Sequence, residues 1–428
     1  MIMINFTENN IFTYLISKNK ILVYMPYSNY AVILNEAEIN MLGTALENNQ
    51  ERVPLQIEEI LSFAKKTTCS MYKVGYDVDE MLNLMILPNN KCNFHCSYCY
   101  SAYGRSNEEL DIETIKTCLD YFLSPERVNG RRVTISILGG GEPFISWEIV
   151  KSAIDYAYEI NTVNKNSLPV SIVSNCSILN DDILNYCKKH DIYVCASFDI
   201  LEDIQNKQRS QFTKVSSNIK TMINAGLNVD ITSVITKDNV HRMNEMIEEV
   251  NKEYKGIKRI TFRHMISDTY FDNAEERRKY YIDFVDNFFT AQLIADKYGI
   301  DLTCPYQNSL VCITNRHCPG KFVLTASGEI STCFCVSSTK DKYYSDFIYG
   351  RVDSIQNKVI INKAKVKEIM SNDVKSSLRC RNCFAKLHCA GGCYSDNHFM
   401  SSEEHDAYCD AMRYFLAKYL IKHHNLNF

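Results

Sequence analysis

Between residues 81 and 264, short apolar runs alternate with helix-length amphipathic stretches, and this alternation limits the fold more than any other feature of the chain. β-Prone runs fall at 82–87, 132–138, 169–173, 192–198, 228–235 and 259–264. Helical patterns lie between them at 112–122, 146–160, 181–190, 215–225 and 239–254. Strands joined through helices pair in parallel, because the helical crossover returns the chain to run in the same direction. Six such units predict an α/β fold: a partial (β/α)6 barrel of the TIM type over 81–305, closed by a long helix at 274–297. Chemistry on such a barrel sits at the carboxyl ends of the strands.

Before the barrel, three strand-like runs (11–16, 21–25, 30–34) precede two helical patterns (36–47, 54–66). In the first of these, Ala37, Ile39, Met41, Leu42, Ala45 and Leu46 recur near helical period. Residues 1–80 therefore read as a small α+β domain. Residues 306–428 read as a loop-rich, cysteine-dense C-terminal domain. The formal net charge of −4 gives no reason to expect a nucleic acid or an anionic membrane as partner. No apolar run is long enough to span a bilayer, and the N-terminus has no signal-peptide pattern. A cytoplasmic, reducing or anaerobic setting is expected.

In that setting the 18 cysteines point to metal wherever they cluster. Cys92, Cys96 and Cys99 form C-x3-C-x2-C just after the first barrel strand. Three thiolates in one tight loop suit three irons of a [4Fe–4S] cube and leave the fourth iron open to bind something else. By spacing alone, half of a zinc site fits as well. Gly140-Gly141-Glu142-Pro143 ends the second strand, where a backbone without side chains allows close approach and a carboxylate can accept from an ammonium. Ser174-Asn175 and Ser197-Phe198-Asp199 end the next two strands, and Arg209 follows Ser197 by twelve residues. Read alone, these small polar residues also suit turns, Asp199 a helix cap, and Arg209 a solvated charge.

Taken together, Cys92, Cys96, Cys99 and the Gly-Gly-Glu-Pro segment resemble the signature of the radical S-adenosylmethionine (SAM) superfamily. The resemblance implies that the three cysteines hold the catalytic cluster. It also implies SAM contacts from Tyr98, Gly140, Gly141, Glu142, Ser174, Asn175, Ser197, Asp199 and Arg209. The implied chemistry is one-electron cleavage of SAM to methionine and a 5′-deoxyadenosyl radical, which takes a hydrogen atom from substrate. A low-potential donor such as flavodoxin or ferredoxin would supply the electron.

Farther on, Cys312-x5-Cys318-x9-Gly328-x4-Cys333 and Cys380-x2-Cys383-x5-Cys389-x3-Cys393, with Cys409 beyond, resemble the SPASM extension of radical SAM peptide maturases. That pattern implies two auxiliary [4Fe–4S] clusters, three in all. Auxiliary cluster I would take Cys312, Cys318, Cys333 and Cys393; auxiliary cluster II would take Cys380, Cys383, Cys389 and Cys409. Some relatives leave the iron matching Cys312 open for substrate. Zinc is the alternative for such spacings. Cys335, two residues from Cys333, is near enough to substitute for it but is read as a bystander. It joins Cys69, Cys118, Cys176, Cys187, Cys195 and Cys304, read as small hydrophobes.

The N-terminal strand–helix order resembles a RiPP recognition element, which binds the leader of a ribosomally made peptide by adding it to an open sheet edge. A structural cap on the barrel is the alternative. The combined resemblance implies an oxidoreductase that cross-links a precursor peptide through a thioether or a carbon–carbon bond. Two other readings are an anaerobic sulfatase maturase forming formylglycine and a non-catalytic iron–sulfur electron carrier. Sulfatase maturases usually carry Asp after the cysteine matching Cys333, where this chain has Phe334, and they begin close to the first cluster. His264, Asp268, Tyr306 and Glu329 are the candidate acid–base residues of the substrate pocket.

Overall fold

The computed structural model of the protein describes residues 6–48, 53–75, 77–161, 168–266, 270–371 and 378–426. The N-terminal unit comprises β1 (Phe12–Ser17), β2 (Lys20–Met25), β3 (Tyr30–Leu34), α1 (Glu36–Asn48) and α2 (Leu55–Lys65). The repeating segment follows as β4 (Asn83–Ile86), α3 (Ile112–Phe122), β5 (Thr134–Ile137), α4 (Trp147–Ile160), β6 (Val170–Ser174), α5 (Asp181–Lys189) and β7 (Tyr193–Ser197). It continues through α6 (Glu202–Gln208), α7 (Phe212–Asn224), β8 (Val229–Ile235), α8 (Met243–Glu253) and β9 (Arg259–His264). After α9 (Ala274–Tyr298) come β10 (Asp301–Thr303), β11 (Phe322–Leu324), β12 (Glu329–Ser331), β13 (Ile348–Asp353), β14 (Lys358–Ile361), α10 (Lys363–Met370) and α11 (Ser402–His423).

Strands β4 to β9 lie side by side in chain order and are all parallel, as the alternation predicts. The sheet is larger than predicted. β10 adds in parallel beyond β9, and β11 adds in parallel beyond β4, followed by antiparallel β12, β13 and β14, for eleven strands in an open order. The region beyond residue 306 is thus not only loop. Its first hairpin extends the sheet. Local signals set several helix starts: Asp111 caps α3 through the Thr114 N–H at 2.8 Å, and Ser401 and Glu404 form a capping box on α11.

Strand residues alternate in their surroundings, as a sheet covered by helices requires. Leu84, Ile86, Ile135, Ile137 and Ile172 are buried in one core with Ile115, Leu119, Phe122, Val150 and Ile154 of α3 and α4. The opposite face is polar. There Asn83 and Ser171 reach Ser136, at 3.3 and 3.1 Å, Cys195 meets Thr232 at 3.2 Å, and Thr261 meets Thr303 at 3.1 Å.

Asp230, at the β8 end of this polar face, has its carboxyl pushed up to about 6. Burial is the main cause; Arg259, 4.0 Å away, pulls it down and Asp301 pushes it up. An acid whose folded value is raised binds its proton better in the fold than in the unfolded chain, so its ionisation weakens the fold as pH rises through 6. Asp230→Asn should therefore gain stability over wild type, and the gain should grow by about 1 kcal/mol between pH 5 and pH 8. Urea midpoints at the two pH values check this; a gain independent of pH would contradict it.

The N-terminal sheet is buried on both faces. Val23, Met25 and Leu34 pack with Ile39, Leu42, Ile57 and Ile60 of α1 and α2. Phe12, Leu22, Tyr24 and Ala31 join the core that holds Phe384, Leu387 and the apolar face of α11. The Tyr24 hydroxyl lies 3.0 Å from His388 Nε2, and the Tyr14 and Phe384 rings lie 5.2 Å apart. β2 is the central strand, so β3 has one side without a strand partner among the described residues.

Candidate active site and cysteine-rich region

The carboxyl end of β4 is stitched to the carboxyl end of β5. The Gly141 N–H donates to the Asn89 carbonyl at 3.0 Å and the Glu142 N–H to the Lys91 carbonyl at 2.6 Å. Asn89 Nδ2 donates to the Glu142 carbonyl at 3.1 Å and to Ser146 Oγ at 2.7 Å. A side chain at Gly141 would place its Cβ 1.9 Å from the Lys91 carbonyl oxygen, and one at Gly140 would stand 2.2 Å from Asn90 Oδ1. Two glycines are needed here because the loop entering Cys92 passes against them.

Glu142 is buried, and its carboxylate accepts from the Phe144 N–H (3.1 Å), Ser174 Oγ (2.8 Å) and the Asn175 N–H (2.7 Å). Burial pushes its carboxyl up, and those three donors push back. A carboxylate offers about four acceptor positions, so room remains for one more donor. Asn175 Nδ2 donates to Asn93 Oδ1 at 2.9 Å and lies 4.0 Å from Cys92 Sγ. Ser174 and Asn175 thus join Glu142 to the cysteine loop.

The far side of the loop rests on β7 and α6. The Ser97 N–H donates to the Gln208 carbonyl at 2.9 Å. The Tyr98 hydroxyl donates to Asp199 Oδ2 at 2.7 Å and accepts from Arg209 Nη1 at 3.0 Å. Asp199 is buried and caps no helix; it also accepts from Ser233 Oγ and the Val234 N–H, each at 3.3 Å. Burial works against the charge on Arg209, but Tyr98, Cys96 and Asp199 outweigh it. Ser197 ends β7 beside this network. Arg105, which the sequence reading did not single out, donates from Nη2 to Cys99 Sγ at 3.1 Å. An arginine six residues after the third cysteine was the available signal.

Polar atoms left bare around this loop fit a missing polar ligand. Asn90 Oδ1, Arg209 Nε, Arg105 Nη1, Ser337 Oγ and both amide atoms of Gln208 are buried without hydrogen-bond partners. Buried groups of this kind normally find one. Among the described residues no three His, Cys, Asp or Glu side chains converge as the ligands of one metal ion would. A cube held by one sulfur per iron asks for thiolates spread farther apart.

In the C-terminal region Cys380, Cys383, Cys389 and Cys409 line one cleft of about 350 Å³, with Arg379 and Arg413 at its wall. Cys318 lines a second of about 230 Å³ with Thr332, Gly392 and Tyr394. The candidate acid–base residues do not share a pocket. His264 and Tyr306 are buried and stacked at 4.8 Å in an aromatic core with Tyr281, Phe284 and Tyr408, and burial pushes His264 down to about 3. Glu329 begins β12, and Asp268 lies outside the described residues.

A cysteine loop joined to a Gly-Gly-Glu turn at the carboxyl ends of parallel strands defines a class of enzyme. Residues 86–250 match the model of the radical SAM superfamily; that part of the chain is a radical SAM domain, and the protein is an enzyme. It is 21% identical over 378 residues to a cysteine-type anaerobic sulfatase-maturating enzyme of Clostridium novyi, spanning 80% of this chain and 96% of that one. It is 22% identical to the radical SAM cyclopropyl synthase TigE of Paramaledivibacter caminithermalis, over 41% of this chain and 40% of TigE.

Among solved structures the fold is similar to anSMEcpe with bound AdoMet (TM-score 0.64, 17% identity, 80% of this chain, 99% of that one). It is also similar to Streptococcus suis SuiB bound to the precursor peptide SuiA (TM-score 0.55, 15% identity, 92% and 97%). Both likenesses concern the fold, an α/β partial barrel. Among the described residues no helix is long and apolar enough to cross a membrane.

Proposed function

We propose that this enzyme is a peptide maturase that installs a cross-link, thioether or carbon–carbon, in a ribosomally made precursor. Cys92, Cys96 and Cys99 would hold the catalytic [4Fe–4S] cluster. Tyr98, Gly140, Gly141, Glu142, Ser174, Asn175, Ser197, Asp199 and Arg209 would form the surroundings of SAM. In this reading the remaining acceptor position of Glu142 takes the SAM ammonium, and the Tyr98–Asp199–Arg209 network holds the cysteine loop in place. Cluster and SAM, when bound, supply hydrogen abstraction from an unactivated carbon; orienting the substrate carbon and excluding water falls to the polar strand face.

The C-terminal cysteines would carry two auxiliary clusters, the second on Cys380, Cys383, Cys389 and Cys409, whose shared cleft supports that set. A low-potential flavodoxin or ferredoxin is the proposed donor. The observation that carries the peptide reading is the N-terminal unit. Its sheet is buried on both faces yet keeps the β3 edge without a strand partner among the described residues, which suits strand addition by a leader peptide. The likeness to peptide-bound SuiB also takes in more of this chain than that to anSMEcpe.

Co-expression with any short peptide found encoded beside its gene tests this. The expected result is loss of two hydrogens per bond in one peptide, abolished when that peptide lacks its leader. A second reading, sulfatase maturation, is favoured by the 96% span of the Clostridium novyi relative. An aldehyde formed on a cysteine or serine of a sulfatase peptide, with no cross-linked product from any neighbouring peptide, would replace the first reading by the second.

A further inference from the structure

Between β4 and β10 the polar strand face carries four charged side chains, and one of them has no counter-charge. Register puts Cys195 beside Asp230, Ser197 beside Thr232 and Thr261, Val234 beside Arg263, and Arg259 beside Asp301, so these residues share the face. The face is open rather than packed. Cys195, Ser197, Thr232 and Thr261 are half-buried, whereas Ala196, Ile231 and Phe262, their neighbours along the strands, are buried in the core on the other side.

At the amino end of the face, Arg259 Nε stands 2.8 Å from Asp301 and 4.0 Å from Asp230, so three of the four charges answer one another. Arg263 lies four residues farther along β9, about 13 Å nearer the carboxyl end. It is exposed, although Phe262 and His264 on either side are buried. Among the described residues its guanidinium has no ion pair and no hydrogen-bond acceptor. Asp199, which reaches the neighbouring Val234 N–H at 3.3 Å, is already occupied by the Tyr98 and Ser233 hydroxyls.

The carboxyl ends of barrel strands are where substrate meets the chemistry. A guanidinium there offers five N–H donors and no acceptor, and its planar fork matches a carboxylate. Glu142 and Asn175, where SAM is proposed, follow β5 and β6, four and three strands from β9. A carboxylate held by Arg263 therefore belongs to the other reactant. A ribosomally made peptide has two sources of one, its Asp and Glu side chains and its C-terminus. We propose that Arg263 binds a carboxylate of the peptide substrate and so sets which segment lies over the polar face. The inference rests on the reading that the substrate is a peptide.

The test uses reconstituted full-length enzyme and, as probe, a synthetic copy of a peptide that wild type modifies in co-expression. Arg263→Ala should raise the KM for that peptide about 10- to 100-fold, the worth of a charge-assisted pair, with much less effect on kcat. Arg263→Gln, closer in size, should do the same and decides the matter where Arg263→Ala does not fold. SAM affinity, measured by equilibrium dialysis, should stay within about twofold of wild type. Peptides with each Asp and Glu changed in turn to Asn or Gln, and one with an amidated C-terminus, separate the two sources. One of them should show the same rise with wild type and no further rise with Arg263→Ala. A KM within about threefold of wild type in both variants, or a rise that no peptide change reproduces, overturns the assignment. So does a loss of SAM affinity equal to the loss for peptide, which would give Arg263 to the SAM carboxylate. Modification of no peptide by wild type would instead remove the peptide reading, and the assignment with it.

Discussion

Cys96→Ala will reduce 5′-deoxyadenosine formation from SAM and dithionite to background, at least about 100-fold below wild type. Removing an outer partner of a metal ligand already costs about 10- to 100-fold, and this change removes a residue proposed as a ligand itself. The loop's supports do not depend on the Cys96 sulfur. Its backbone is held by the Ser97 N–H on the Gln208 carbonyl and by the turn from the Cys99 N–H to the Cys96 carbonyl at 3.2 Å. Phe94 stays buried, and Tyr98 keeps Asp199 and Arg209. The variant should therefore fold and keep its far-ultraviolet circular dichroism while losing the absorbance of one cluster. Cys187→Ala, a truncation in the core beneath α5, is the control and should retain turnover. Undiminished cleavage by Cys96→Ala would remove the ligand assignment and the peptide chemistry built on it.

Much of the parallel sheet was legible because its strands are apolar runs bounded by turns. Val170–Ser174 and Val229–Ile235, for example, are rich in β-branched residues. Five strands escaped notice: β10, β11 and β12 have three residues each, too few for alternation to register, and β13 and β14, of six and four residues, lie in the stretch read as loop-rich. They exist because β9 and β4 offer edges to pair with, and pairing across the chain is invisible to local pattern. α6 escaped for a related reason: seven residues with only Ile204, Gln205 and Gln208 buried give little periodicity.

At the site, residue types were legible before their partners were. The glycines at 140 and 141 do allow a close approach, but the atoms that approach are Lys91 and Asn90. Asp199 suited a ligand contact or a helix cap; it caps no helix and accepts from the Tyr98 hydroxyl. His264 and Tyr306 carried no sequence mark separating a core aromatic pair from an acid–base pair; which side of β9 a residue faces decides it, and His264 faces the aromatic core.

Arg127→Ala will destabilise the protein by about 3–5 kcal/mol, the range for stripping a charged partner from a buried polar cluster. Arg127 is 6% exposed. Its guanidinium donates to the carbonyls of Phe122 (3.2 Å), Val78 (3.0 Å) and Met81 (2.6 Å) and lies 4.1 Å from the centre of the Phe122 ring, with Asp79 3.6 Å from Nε. Those carbonyls belong to the end of α3 and to the segment leading into β4, so one side chain fastens the entry of the first barrel strand to the first helix packed over it. Truncation strips the side-chain donor from three carbonyls, of which that of Val78 keeps a second donor, the Met81 N–H at 3.1 Å, and it opens a gap beside Phe122 and Phe322. Arg127→Lys should recover less than half of the loss, because a single ammonium cannot serve three diverging carbonyls as a planar fork does. Denaturant midpoints at unchanged slope measure the effect. A loss below about 1 kcal/mol, the net value of one ordinary hydrogen bond, would mean that water or a shifted backbone satisfies the carbonyls and that the entry strand is held by its apolar face alone.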